Sequence, residues 1–92
     1  MVKSNAENTI IKFWGNGCMN CKALAPILEG VKLKHPNINF REININANSD
    51  DAQKYNITTI PTLVFEKDGQ TTATLAGLKP ASLIEKKIME VF

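Results

Sequence analysis

Cys18 and Cys21 are the two cysteines of the chain, three positions apart in "FWGNGCMNCKALAP", Phe13 to Pro26. A pair at that spacing can hold a metal, staple a loop or exchange electrons. For exchange, one sulfur must be an accessible thiolate and the other must come within bonding reach of it. The surrounding residues favour both conditions. Gly15, Asn16 and Gly17 read as a turn, and from Cys18 onward the pattern is helical. A sulfur where a helix opens faces N–H groups with no partner inside the helix, and the macrodipole stabilises negative charge there. Cys18 is therefore the expected nucleophile, its thiol pKa lowered. Cys21, one turn further in, is expected to be more buried and to resolve the mixed disulfide. The products would be a reduced substrate and a Cys18–Cys21 disulfide.

The metal reading is weaker. Zinc usually takes four ligands, and the chain offers one Cys-x-x-Cys pair and one histidine, His35. His35 is expected at the far end of the same helix, more than ~20 Å away at about 1.5 Å per residue. That disfavours a closed site within one chain. A site bridged between two chains and an inert buried thiol pair stay as alternatives. A Cys-x-x-Cys placed between a strand and a helix in a βαβ pattern points most strongly to redox exchange, which needs no bound cofactor and no metal.

The elements that must position the pair follow from periodicity. "NTIIKFW" is β-branched and aromatic and reads as a strand, with Lys12 its one interruption. "CMNCKALAPILEGVKLKH" changes to a helical period with Leu24, Ile27, Leu28, Val31 and Leu33 on its apolar face, and Pro26 is expected to kink it. "INFREINI" reads as a second strand, Ile38 and Phe40 facing one way and Ile43 and Ile45 the other, which implies a bulge or burial on both faces. "NANSDDAQKYN" reads as a short helix capped by Asn48 or Ser49, with acids in its first turn. "PTLVFEKDGQTTATLAG" reads as a hairpin turning at Lys-Asp-Gly. "KPASLIEKKIMEVF" reads as a last amphipathic helix with Leu83, Ile84, Ile88, Met89 or Val91, and Phe92 inward, and Pro80 at its start. The expected fold class is α/β, ordered β-α-β-α-β-β-α. It is a four-stranded mixed sheet with helices on both faces and a right-handed parallel crossover at the start.

Composition sets the limits. Ninety-two residues make one domain, 1–92, with modest stability. An apolar share of 43% excludes a disordered chain. A formal charge of +2, spread along the chain, argues for neither nucleic acid nor an anionic membrane as partner. "MVKSNAENTI" has no apolar core of a signal peptide, and no apolar run approaches a membrane span. A cytoplasmic monomer is the expectation.

Three landmarks together carry a resemblance. "FWGNGCMNCKALAP" resembles the thioredoxin signature of Phe-Trp, three residues, Cys-x-x-Cys-Lys, three residues and Pro. "KYNITTIPTLVFEKDG" resembles the second landmark, where Ile-Pro-Thr opens a strand that ends in a hairpin. "LAGLKPASLIEKKI" resembles the closing glycine loop and last helix. The likeness runs from about Val2 to the last helix, as a minimal form without the family's usual first strand and most of its first helix. It implies a protein disulfide oxidoreductase, here using a Cys-Met-Asn-Cys pair, that acts on disulfide-bearing proteins and receives electrons from a separate reductase. An oxidant or isomerase on the same fold, and a non-catalytic binding module, are the other readings.

The resemblance also implies a groove. Pro61 would be the family's cis-proline facing the cysteines, although the residues alone give only the start of a strand, trans being the commoner isomer. The backbone of Ile60 would pair with an extended substrate, and Gly77 with Leu78 would line the same groove; main-chain pairing binds many sequences without reading them. The alternative for Ile60 and Leu78 is plain packing. Met19 is expected exposed at the loop tip as a soft docking contact.

Three positions depart from the family pattern. Met19-Asn20 stands between the cysteines where Gly-Pro is usual, Gly17 stands where a Trp is usual, and Lys12 stands where a buried Asp is usual. Lys12 is expected to be at least partly buried on the side of Ile10 and Trp14. There it either modulates the thiols or pairs with an acid such as Glu42. Trp14 is expected to pack under the cysteine loop, His35 to be a solvated helix end, and the asparagines at 37, 39, 44, 46 and 48 to serve turns and caps.

Overall fold

The computed structural model describes residues 7–92. Most of the stretch read for a signal peptide, residues 1–6, lies outside them.

The seven elements appear in the expected order: β1 (Asn8–Trp14), α1 (Met19–Lys34), β2 (Asn39–Asn44), α2 (Ser49–Lys54), β3 (Thr62–Lys67), β4 (Gln70–Ala76) and α3 (Ala81–Val91). They form one mixed sheet in the order β2-β1-β3-β4. β1 pairs parallel with β2 and antiparallel with β3, and β3 pairs antiparallel with β4. β1 is thus central, which explains its near-continuous apolar run: a strand with covered faces has no solvent side to mark with polar residues.

Each face of the sheet has its own core. Ile10, Leu63 and Phe65 pack with Leu24, Leu28 and Val31 of α1 and Ile84 and Ile88 of α3. On the opposite face Ile11, Phe13, Ile43 and Val64 pack with Tyr55 and Ile57, beside α2. β2 contributes to both. Phe40 packs on the first cluster and Ile43 on the second, while its register with β1 runs unbroken from Asn39 to Asn44. Burial on both faces, not a bulge, accounts for its pattern. The register shift falls instead at Phe65/Glu66, between β3 and β4.

The hairpin turns at Asp68 and Gly69, both at positive φ (54° and 84°), the conformation that matches the right-handed twist of the flanking strands. α1 runs as a single helix through Pro26. Two side-chain expectations, Leu33 and His35, are corrected. Leu33 is 82% exposed, because α1 turns its Leu24, Leu28 and Val31 stripe inward and Leu33 falls outside it. Of the alternatives Met89 and Val91, Val91 packs against the core and Met89 is exposed. His35 is not a free helix end: its Nε2 meets the Glu85 carboxylate of α3, joining the two helices on one face.

Candidate functional site

β1 ends at Trp14 and the chain turns through Gly15, Asn16 and Gly17 before α1 begins. The turn requires particular residues. Gly17 has φ +70°, a region L side chains rarely adopt. Gly15 is pressed against a neighbour: a Cβ there would lie 2.7 Å from Cδ1 of Ile60 and 3.1 Å from Oδ1 of Asn46.

Asparagines hold this turn from the side. The Asn16 amide N–H donates to Oδ1 of Asn46 (2.7 Å), and Nδ2 of Asn44 donates to Oδ1 of Asn16 (3.2 Å). The Asn46 N–H in turn donates to Oδ1 of Asn44 (2.9 Å), and the Ile45 N–H to the Trp14 carbonyl (2.8 Å). Asn48 precedes α2, its Nδ2 donating to the Asn44 carbonyl (3.3 Å). Asn44 and Asn46 therefore do more than serve their own turn. They join the end of β2 to the cysteine loop, which precedes them by some thirty residues in the chain.

Cys18 is the N-cap of α1, and the Cys21 N–H donates to its Sγ (3.1 Å). This is the arrangement that favours a thiolate: an otherwise unpaired helix N–H directed at the sulfur. Cys18 is half-buried and Cys21 is 3% exposed. The two are bonded to each other, with their Cα atoms 5.3 Å apart. Met19 projects beside them, 75% exposed.

The other predicted groove residues come from the segments just before β3 and just after β4. The Ile60–Pro61 bond is cis. The Ile60 side chain is the one lying against Gly15, which brings this segment to the cysteine turn. The Gly77 N–H donates to the Pro61 carbonyl (2.7 Å), with Gly77 at φ +89°, and Leu78 comes next, 38% exposed.

Behind the sulfurs lies a cleft of about 410 Å³. Cys18, Cys21, Lys22 and Ala25 form its helical side, Trp14 to Gly17 its mouth, and Lys12 and Glu42 its sheet side. Lys12 and Glu42 are register partners across β1 and β2. Lys12 is 7% exposed and lies on the α1 face, as strand alternation from Ile10 requires. Among the described residues the ion pairs are His35–Glu85 and Lys87–Glu90, so Lys12 is in none. Sequence reasoning named Glu42 only as a candidate partner for Lys12. Its place beside the cysteines depends on the β1–β2 register, which residue types alone do not give.

On the sheet's opposite face the Tyr55 hydroxyl donates to the carboxylate of Glu66, a residue 7% exposed. That hydrogen bond, then burial, raises the Tyr55 pKa above its ordinary value of 10.0.

Comparison with known proteins agrees with this geometry. The family model described as Thioredoxin matches residues 1–90. A thioredoxin of Chlamydia pneumoniae is 35% identical over 79 residues, covering 86% of this chain and 78% of that protein. A thioredoxin of Bacillus subtilis is 35% identical over 82 residues, covering 83% and 74%. Among solved structures, oxidised mitochondrial thioredoxin 3 of Saccharomyces cerevisiae superposes with a TM-score of 0.86 at 27% identity, covering 91% of this chain and 78% of that one. The thioredoxin of Fasciola hepatica gives 0.87 at 26% identity, covering 94% and 82%.

Proposed function

Because the chain belongs to the thioredoxin family, whose members are thiol–disulfide oxidoreductases, we propose that it reduces protein disulfides through its Cys-Met-Asn-Cys pair. Cys18 attacks a substrate disulfide. Its sulfur bonds to one substrate sulfur while the other leaves as a thiolate. Cys21 then gives up its proton and attacks Cys18, closing the internal disulfide and releasing the second substrate thiolate. A separate reductase returns two electrons to the pair. The observation that carries the reading is the Cys21 N–H directed at Cys18 Sγ from the first turn of α1, with Cys21 itself buried.

The substrate groove in this reading is formed by Met19, Ile60, Pro61 and Gly77. The substrate extends along the Ile60 backbone and pairs with it by main-chain hydrogen bonds, so that a range of protein disulfides is accepted. Lys12 modulates the pair as a cation in the cleft behind it. The 92 residues act as one monomeric domain, and a reducing compartment such as the cytoplasm suits a protein that must be kept as a dithiol. Among the described residues no helix is long and apolar enough to cross a membrane.

Insulin reduction driven by dithiothreitol tests the activity, and trapping tests the roles. Cys18→Ser abolishes catalysis and captures no substrate, whereas Cys21→Ser accumulates a mixed disulfide. In the reduced protein Cys18 is alkylated much faster than Cys21 at neutral pH. Equal alkylation rates, or trapping by Cys18→Ser, would refute the assignment.

A further inference from the structure

The cleft behind the sulfurs holds one carboxylate, and we propose that Glu42 is the proton acceptor for Cys21 in the resolving step, with the cation of Lys12 stabilising the thiolate left behind. This rests on the reading of Cys21 as the resolving cysteine. The need for an acceptor arises from burial. Cys21 is 3% exposed, and a substrate joined to Cys18 covers it further from the front. The route left to its proton is the cleft, about 410 Å³ and large enough for several water molecules.

The lining of the cleft narrows the choice. Lys12 and Lys22 are cations that donate hydrogen bonds and accept none, and the Asn16 amide is not a base. Glu42 is the lining side chain able to take up a proton. An adjoining cavity of about 160 Å³ shares Lys12 and Glu42 and adds Glu29, Lys32 and Arg41. Glu29 is eight residues beyond Cys21 along α1, about 12 Å at 1.5 Å per residue, and does not line the cysteine cleft. Lys12 and Glu42 are partners in the pairing of β1 with β2, and both line the cleft with the cysteines.

The step balances. The Cys21 S–H proton passes through water to a Glu42 oxygen. The sulfur keeps the electron pair and bonds to Cys18 Sγ, and the bond from Cys18 to the substrate breaks, its electrons leaving with the substrate sulfur. Glu42 later returns the proton to solvent, since its residue is exposed. Nothing beyond the two thiols and the substrate disulfide is oxidised or reduced.

Stopped-flow reaction of the reduced protein with one equivalent of Ellman's reagent separates the steps. The first thionitrobenzoate reports attack by Cys18, and the second reports Cys21 resolving the mixed disulfide. Glu42→Gln keeps the size and removes the acceptor. Its second phase slows by roughly tenfold or more near neutral pH and recovers as pH rises and hydroxide takes over, while Glu42→Asp keeps part of the rate. An unchanged second phase overturns the proposal. So does equal slowing of both phases at every pH, which marks Glu42 as structural. Cys21→Ser checks the underlying reading by itself: a second equivalent still released by that variant refutes Cys21 as the resolving residue, whatever Glu42 does.

Discussion

At Lys12 a charge interrupts the apolar run of a central strand. An ammonium at 7% exposure is costly unless its head reaches water or a counter-charge, and the cysteine cleft supplies that outlet. A cation there stabilises a thiolate, and hence the reduced dithiol, more than the disulfide. The expected result is that Lys12→Met makes the pair a stronger reductant, by on the order of 30 mV, which corresponds to about tenfold in the thiol–disulfide equilibrium. Equilibration with glutathione measures it. Trp14, the single tryptophan, borders the same cleft and serves as a fluorescence probe in that measurement. A potential unmoved in Lys12→Met makes the lysine structural. The anomaly was visible in the sequence, as one charge inside "IIKFW". Its surroundings were not, because Glu42 comes alongside only through pairing thirty residues away.

Between elements, the asparagines act as a clasp. Asn46 accepts from the backbone of Asn16, and Asn44 supports both, so the loop carrying Cys18 is fastened to the segment after β2. Asn46→Ala removes that acceptor and is expected to cost about 1 kcal/mol in urea unfolding, whereas Asn46→Asp, which still offers an oxygen, keeps most of it. Equal losses in the two variants would show that the bond from Asn16 carries no weight. The elements themselves were legible because their periods are clean: β-branched runs for β1 and β3, and a helical stripe through Leu24, Leu28 and Val31. The contacts that join them were less so. Asn44 and Asn46 read as residues of their own turn, since a side chain that serves a distant backbone looks no different in sequence. His35 read as solvated for the same reason, Glu85 being fifty residues further on. Leu33 falls outside the stripe, and Met89 or Val91 stayed open, because a 3.6-residue period leaves positions at the edge of an apolar stripe undecided.

Across the whole molecule the two faces of the sheet are unequally covered. One carries α1 and α3; the other carries α2, six residues with none buried, so α2 is held to the sheet mainly through the residue at its C-terminal end. That residue is Tyr55, its ring 5.3 Å from Phe13 and its hydroxyl on Glu66 of β3. The Tyr55 pKa is raised by that bond, so folding favours the protonated phenol. The contribution is fully present below the unfolded value near 10 and is lost as pH rises through the higher folded value. Tyr55→Phe is therefore expected to be less stable than the native protein at neutral pH, by roughly 1–2 kcal/mol, with the difference shrinking above about pH 10. Denaturant titrations at the two pH values measure it, and a gap that stays constant on alkalinisation excludes the linkage.

The position of β1 in the sheet also has a consequence in time. Among the described residues β1 is the first strand yet central in the sheet, and both of its neighbours are made after it. From Trp14 to the start of β3 at Thr62 is about fifty residues, some 2–10 seconds of synthesis at roughly 5–20 residues per second. During that interval Cys18 and Cys21 exist without β3 or the Ile60–Pro61 segment before it, whose Ile60 lies against Gly15. A newly made chain carries both thiols before residues 60 and 61 are added, and the nearest thiol to each cysteine is then the other one.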